Sequence, residues 1–432
     1  MKRVVLFGVF FIAMIGLKAQ VLTLQEAVNI ALKNSLDIEI ARNTVTADEI
    51  NNNIGVAGGL PVVGANLTNN QSLTNLIQNL SNGTTTKRNG NLNTSFNGGV
   101  GGTLLLFSGL RVRATKKRLE ALELQSEQQV NVQIQNIIAN VMVKYYDVVR
   151  QNSYIQTIRQ SIEATLQRKN IVDVRQSVGL ANNADTYQAQ LDLTASQQEL
   201  QNQELVLMQA KTDLLNLMTQ RPDSNFVIRD TIVVDSLVNF NAVRENIKKN
   251  PEILSAEEQI RINEFIEREV GAERYPSVSL NSGFNYSRSQ SSAGFTLLNQ
   301  NLGPYIGFSL GVPIFNGGVT KRKQRVAEIS TKNAGVSRDI LLKNLETSAF
   351  KSWQAYQNTL RRLQLEKENN RIAAALLQLT LQRLELSAAT IVEVREAQRS
   401  FVEAGYRLVN LSYSAKVAEI ELKRLASQLT GM

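Results

Sequence analysis

Histidine and cysteine, two residue types that often carry chemistry in proteins, are both absent from this 432-residue chain. That composition excludes thiol nucleophiles, disulfides, thiolate or imidazole metal sites and every catalytic scheme with a histidine base. Carboxylate or lysine chemistry remains open, but no motif arranges such groups for catalysis. The sequence therefore predicts a protein that is not an enzyme and that uses no cofactor and no metal site.

Two acidic residues stand out by their spacing, because each follows a polar residue by three positions. Asn182 precedes Asp185, and Thr390 precedes Glu393 at the corresponding place 208 residues later. This spacing is that of a capping box, in which side chains bind the free backbone N–H groups of a helix start. The same acids, together with Glu385, could instead ring the mouth of a pore. Both interpretations stay open for Asp185, Glu385 and Glu393.

The offset of 208 residues relates the two halves of the chain well beyond these acids. Phe107 recurs as Phe315, and the segment 187–190 lies over 395–398. Upstream the offset drifts by several residues. A constant offset over roughly 90 residues indicates a duplicated structural unit.

The first residues have the features of a secretory signal peptide. Lys2 and Arg3 form a positive n-region, residues 4–17 are apolar, and cleavage is expected near residues 18–20, although Leu17 is a poor residue for the −3 position. We therefore expect residues 1–19 to be removed and, without cysteine, we expect no lipoprotein anchor. Loss of three cations would lower the formal net charge from +9 to +6. Such a modest excess predicts no nucleic-acid partner.

After the signal peptide, the duplication predicts three parts. The first repeat covers residues 20–219, a linker covers 220–240, and the second repeat covers 241–432. Neither repeat has the pattern of a globular domain with its own core. Each alternates strand-like stretches with long heptad helices.

Four segments alternate apolar with small polar residues and are predicted strands: 61–69, 92–107, 276–287 and 302–315. Polar loops at 70–91 and 288–301 would join each pair. One apolar face and one polar face over about ten residues is typical of a transmembrane barrel, but it also fits a half-buried soluble sheet. No apolar helix or second sheet remains to cover the apolar face, so we expect lipid to cover it.

Four strands cannot close a barrel, since the smallest known barrels have about eight. The chain is therefore expected to oligomerise. Two copies would give about eight strands and three copies about twelve.

Long stretches without proline predict four helices, at residues 112–178, 183–219, 319–386 and 390–429. A helix of the first length would reach roughly 100 Å. Apolar residues recur every seven positions along these helices, for example at Val394, Phe401 and Leu408. Sustained rows of this kind specify supercoiled packing. The predicted fold class is thus an α-helical coiled coil combined with transmembrane β-strands, built as a duplicated repeat of long antiparallel helices and four strands per chain.

Several short motifs occur in a fixed order along the chain. They are residues 22–28, 250–253, 315–318, 178–180 and 390–394. Together with the duplicated order of helix, two strands, long helix and return helix, they make the chain resemble the TolC-like outer-membrane efflux protein family. The similarity covers essentially the whole mature chain. Ser387 stands where the first copy has Gly179.

The resemblance implies a homotrimer with a twelve-stranded barrel in outer-membrane lipid, continued by an α-helical tunnel into the periplasm of a Gram-negative bacterium. Its implied partners are a periplasmic adaptor (a membrane fusion protein) and an inner-membrane pump of the RND or ABC type. The linker would form part of an equatorial belt. Adaptor docking would involve the helical tips, which are Val178, Gly179, Leu180, Leu386, Ser387 and Ala388.

The function implied is a passive exit duct of a tripartite efflux system. Small amphiphilic compounds such as drugs are the expected cargo, because no histidine or cysteine is present to relay soft metals and residues 372–384 contain no acid to filter cations. The alternatives are the exit duct of a type I protein secretion system and, from another class, a trimeric coiled-coil adhesin or scaffold.

Overall fold

The computed structural model describes residues 20–235 and 237–429. The predicted signal peptide at 1–19 lies outside the described residues. The chain divides into two compact units. Within the described residues, the helical unit comprises 20–39, 133–250 and 344–429, and the sheet unit comprises Ile40–Val132 and Pro251–Lys343.

Eight α-helices and six β-strands follow one another in the described chain. In order, they are β1 (Gln20–Val21), α1 (Leu24–Asn34), α2 (Leu36–Asn51), β2 (Val62–Asn79), β3 (Thr85–Ser108), α3 (Arg111–Ser177), α4 (Asn183–Leu217), β4 (Phe226–Val227), α5 (Phe240–Ile247), α6 (Pro251–Ala272), β5 (Ser277–Ser291), β6 (Leu298–Gly311), α7 (Val319–Glu385) and α8 (Ile391–Leu425). The fold class predicted from the sequence is confirmed in its duplicated repeat, its long helices and its four long strands.

The sheet unit contains one antiparallel sheet of order β2-β3-β5-β6. Register pairs Val100 with Phe284, and Leu280 with Phe308, so these apolar side chains share one face. The other face carries small polar residues: Asn281 accepts a hydrogen bond from Thr103 at 2.9 Å and donates one to Ser309 at 2.7 Å. The predicted separation of an apolar from a polar face is present.

The strands differ from the sequence prediction in their ends. The predicted loops at 70–91 and 288–301 are wrong. Strands β2 and β3 continue through most of residues 70–91. Between β5 and β6, the loop is reduced to a short turn. Backbone pairing holds the extensions of β2 and β3, in which polar residues predominate and only Leu73, Leu76 and Ile77 are apolar, so a regular apolar alternation gave no sign of them. β6 ends at Gly311 rather than at 315, since Pro313 has no N–H to donate to the ladder.

The helical unit packs its core along the heptad rows. Val141, Val148, Ala349, Tyr356 and Leu384 are almost fully buried, as the sevenfold spacing predicts. Two apolar clusters result, one centred on Tyr145 and Leu214 and one on Leu384 and Val394. Within the described ranges, no helix has both the length and the apolar character to cross a membrane.

The linker at residues 220–240 contains little regular structure. Its two-residue strand β4 pairs in parallel with β1, and the Tyr145 hydroxyl donates to the Asp230 carboxylate at 2.5 Å. The Tyr356 hydroxyl donates to the backbone carbonyl of Asp235. The linker is therefore held to the helical unit by buried tyrosines.

Candidate functional site

The two helical tips have the same backbone turn. At the end of α3, the Leu180 N–H donates to the Arg175 carbonyl at 2.7 Å and the Gly179 N–H donates to the Gln176 carbonyl at 3.0 Å. Both hydrogen bonds form a Schellman motif, which requires a left-handed residue at the turn. Gly179 takes that conformation with φ +80°. Val178 and Leu180 project from the turn and are exposed.

The second tip repeats this turn without glycine. The Ala388 N–H donates to the Arg383 carbonyl at 2.7 Å, and the Ser387 N–H donates to the Leu384 carbonyl at 3.0 Å. Ser387 has φ 57°, a conformation that costs a residue with a Cβ roughly 1–2 kcal/mol. Leu386 is exposed next to it. Replacing glycine by serine has therefore left the geometry of the turn unchanged.

Both predicted capping boxes form at the starts of the return helices. The Asn182 and Asp185 side chains each accept the other residue's backbone N–H, at 2.9 and 3.2 Å. Thr390 and Glu393 make the same reciprocal pair, at 3.2 and 2.6 Å. The backbone N–H of Thr390 lowers the pKa of the Glu393 carboxyl, and its hydroxyl adds to the effect. Both acids thus take part in capping boxes.

Glu385 is an exposed residue at the last position of α7. In the described chain, no ion pair or side-chain hydrogen bond joins it to Asp185 or Glu393. No three acidic residues among those described stand close enough together to hold a metal ion. Among the described residues, these three acids therefore form no metal-binding group.

A buried polar network that sequence reasoning missed lies between α3, α4 and α8. Arg168 is only 1% exposed, and its Nη2 is 2.6 Å from the Asp192 carboxylate. The Gln398 amide donates to the hydroxyls of Ser161 at 2.7 Å and Thr165 at 2.6 Å. Burial lowers the pKa of the Arg168 guanidinium, and the Asp192 charge opposes that change. The members of this network lie on three different helices, so no local sequence signal marks it.

The polar face of the sheet is packed around one aromatic ring. An added Cβ at Gly283 would lie 2.5 Å from the Val100 carbonyl oxygen and 2.9 Å from the Tyr305 hydroxyl. Gly101, its partner across the ladder, is equally close to that hydroxyl. Side chains at these two positions would collide with Tyr305, so glycine lets a tyrosine lie flat across the strands. The two glycines thus make room for Tyr305 among the small side chains of the polar face.

Comparison with known proteins agrees with this architecture. The model of the family described as "Outer membrane efflux protein" matches residues 19–220 and 242–428. "Probable outer membrane lipoprotein SilC" of Salmonella typhimurium is 26% identical over 66% of this chain and 62% of its own length. "Cation efflux system protein CusC" of Escherichia coli K12 is 24% identical over 66% and 63%. The matched part thus spans just over six-tenths of each relative.

A solved structure has a similar fold over nearly the whole chain. The outer membrane protein VceC of Vibrio cholerae superposes with a TM-score of 0.76 at 16% identity, covering 93% of this chain and 95% of that one. At this identity the likeness concerns the fold alone.

Proposed function

The chain belongs to the outer membrane efflux protein family, and we infer that three copies close one barrel in the outer membrane and form an exit duct. The observation that supports this is the four-stranded sheet with β2 and β6 as its edges, an exposed apolar face and a polar face. Three such sheets supply twelve strands. A barrel of about eight strands, from two copies, has an interior just wide enough for side chains, so a water-filled duct favours the trimer.

Purified protein added to a planar lipid bilayer is expected to give discrete conductance steps. A resting form closed at the tips would conduct little, so the same recording is made with Asp185→Ala and Glu393→Ala combined, which removes the acidic partner of both capping boxes and leaves the N-caps Asn182 and Thr390 in place. Protein-free detergent is the control. If neither form conducts, the duct is wrong and the coiled-coil adhesin or scaffold becomes the better proposal.

For cargo we propose small amphiphilic compounds that an inner-membrane pump delivers through a periplasmic adaptor. The tunnel-forming helices offer no histidine, no cysteine and, over residues 372–384, no acid, so they lack both a soft-metal relay and a cation filter. The relative CusC is named for cation efflux. Metal ions are therefore the competing cargo that the experiment must distinguish from drugs. Polypeptide secretion remains the alternative among ducts.

Deletion of the gene is expected to lower the minimal inhibitory concentration of amphiphilic drugs several-fold, because these compounds would accumulate when their exit is lost. Copper and silver tolerance and the set of secreted proteins are measured in the same strain, with the gene restored on a plasmid as the control. Unchanged drug susceptibility with lost metal tolerance, or with a missing secreted protein, would contradict the proposed cargo and leave the duct intact.

We propose that the adaptor docks at the two tips, on residues 178–180 and 386–388. The shared turn supports this proposal, because it presents exposed apolar residues at equivalent places in both copies. A pump of either the RND or the ABC type would be compatible with such tips.

Single cysteines at Gly179 and Ser387 are expected to cross-link to a cysteine in a co-expressed adaptor hairpin. The chain has no cysteine of its own, so each product reports one position. Asn202→Cys and Asn410→Cys are the matched controls, because both are exposed, lie within α4 and α8 and occupy equivalent places in the two copies. Cross-links at the controls but not at the tips would refute tip docking.

A further inference from the structure

Both long helices begin with cations and without a single acid. Residues 111–118 contain five arginines or lysines, and residues 319–326 contain four. The positive end of the helix dipole lies there, so cations at these places destabilise the helix by a few tenths of a kcal/mol each. Lys116, Arg118, Lys323 and Arg325 have acidic partners within the chain, so only the remaining cations are open to an anionic partner from outside it.

At the start of α3, some of these cations line a cavity of about 730 Å³ in the sheet unit, between the ends of β3 and α6. The charged residues of its wall are four cations and one acid: Arg113, Lys117, Arg268, Arg274 and Glu267. In the part of the chain described here, none of the four cations has an ion pair. Neighbouring Arg118, by contrast, pairs with Glu269 at 2.7 Å. The cavity therefore carries an excess of positive charge that the chain itself does not neutralise.

One wall of this cavity belongs to the apolar face of the sheet. A β-bulge at Leu106 shifts the register, so that Phe107 pairs with Val278 and joins the face of Leu280. Tyr275 and Phe265 also line the cavity, and the Arg268 guanidinium lies 5.1 Å from the Phe265 ring. Cations and aromatic rings at one end of an apolar sheet face are the residues that proteins place at a membrane interface.

We propose that this cavity binds the headgroup of an anionic glycerophospholipid. The phosphate lies among Arg113, Lys117 and Arg274, and the acyl chains lie along the apolar face beyond Phe107. The buried Oε1 of Gln324, also in the cavity wall, has no donor in the described chain, so a headgroup hydroxyl can supply one. An anionic glycan would satisfy the cations but would leave the aromatic wall unused, which favours lipid.

Native mass spectrometry of the purified full-length protein in detergent tests this site. Phosphatidylglycerol and phosphatidylcholine with identical acyl chains are titrated against the wild type and against a cavity variant. The cavity variant combines Arg113→Gln, Lys117→Gln and Arg274→Gln. The control combines Arg361→Gln, Arg362→Gln and Lys367→Gln, which removes the same charge from exposed positions of α7. We expect phosphatidylglycerol to bind at least about tenfold more weakly to the cavity variant, and equally to wild type and control.

Each other outcome overturns the site. Equal phosphatidylglycerol binding by the cavity variant, or equal binding of the two lipids by wild type, means that no headgroup is recognised. Displacement of the lipid by a soluble peptidoglycan fragment, with a fragment affinity that the triple substitution lowers, means that the ligand is a glycan. Conductance of the cavity variant is recorded separately and reports the duct, so that failure of the lipid site and failure of the duct are distinguished.

Discussion

Replacing Asp192 with alanine is expected to lower the free energy of unfolding by about 3–5 kcal/mol. Arg168 is fully buried and has its only ion pair within the described chain with Asp192, at 2.6 Å. Without that carboxylate, the guanidinium stays in a low-dielectric interior with one long hydrogen bond to Gln398, at 3.4 Å. Unfolding in guanidinium chloride, followed by the circular dichroism signal of the helices, measures the loss of unfolding free energy.

Asp213→Ala is the matched control, because it removes an aspartate from the same helix. Asp213 pairs with Lys144 at 2.7 Å, but both side chains are at least 40% exposed, so the loss should stay below about 1 kcal/mol. Adding Arg168→Met to Asp192→Ala should restore most of the stability, since no unpaired charge remains to be buried. If Asp192→Ala costs no more than Asp213→Ala, the network does not hold the helices together.

The sequence predicted the long helices well because their stabilising pattern is local and repeated. Heptad rows place one residue in seven on the buried side, and Val148, Ala349 and Leu422 are buried as their rows require. The starts of the return helices could be predicted equally well, because a capping box such as Thr390 with Glu393 is a short sequence motif. Repeated and local signals need no knowledge of the neighbouring helices.

Arg168 shows why the buried network could not be predicted. An arginine in a helix is normally a solvated residue, and its partners Asp192 and Gln398 lie on two other helices. At the equivalent place in the second copy stands Leu376, so the duplication gave no second example. Only the register between helices, which a single sequence does not report, reveals that this cation is buried.

Two local features were left unpredicted by the sequence, the bulge in β3 and the turn at Ser387. The bulge at Leu106 moves Phe107 to the opposite face, and one inserted residue leaves no mark in an alternating pattern. At the tips, Ser387 stood where glycine was expected, yet its turn repeats the hydrogen bonds of Gly179. Two backbone hydrogen bonds and the following capping box outweigh the cost of a Cβ at positive φ.

A second buried carboxylate, Glu419, ties the linker to α8. Its side chain is 2% exposed and lies 2.8 Å from the Lys423 Nζ and 3.1 Å from the Lys416 Nζ. The backbone N–H of Asp235 donates to the same carboxylate at 3.0 Å. Nearby, burial raises the pKa of the Tyr356 hydroxyl to about 12, so this tyrosine stays a donor to the linker at neutral pH. Glu419 is thus the one acceptor shared by two lysines and the linker backbone.

Replacing Glu419 with alanine is expected to cost about 3–5 kcal/mol, because Lys416 is left buried without its carboxylate and the linker loses an anchor. Guanidinium unfolding measures that cost, and limited proteolysis should show faster cleavage within residues 220–240. Glu421→Ala is the control two residues away. Glu421 pairs with Arg424 at 2.8 Å but is 35% exposed, so its loss should stay below about 1 kcal/mol and leave the cleavage rate unchanged. Equal effects of the two substitutions would show that Glu419 does not anchor the linker.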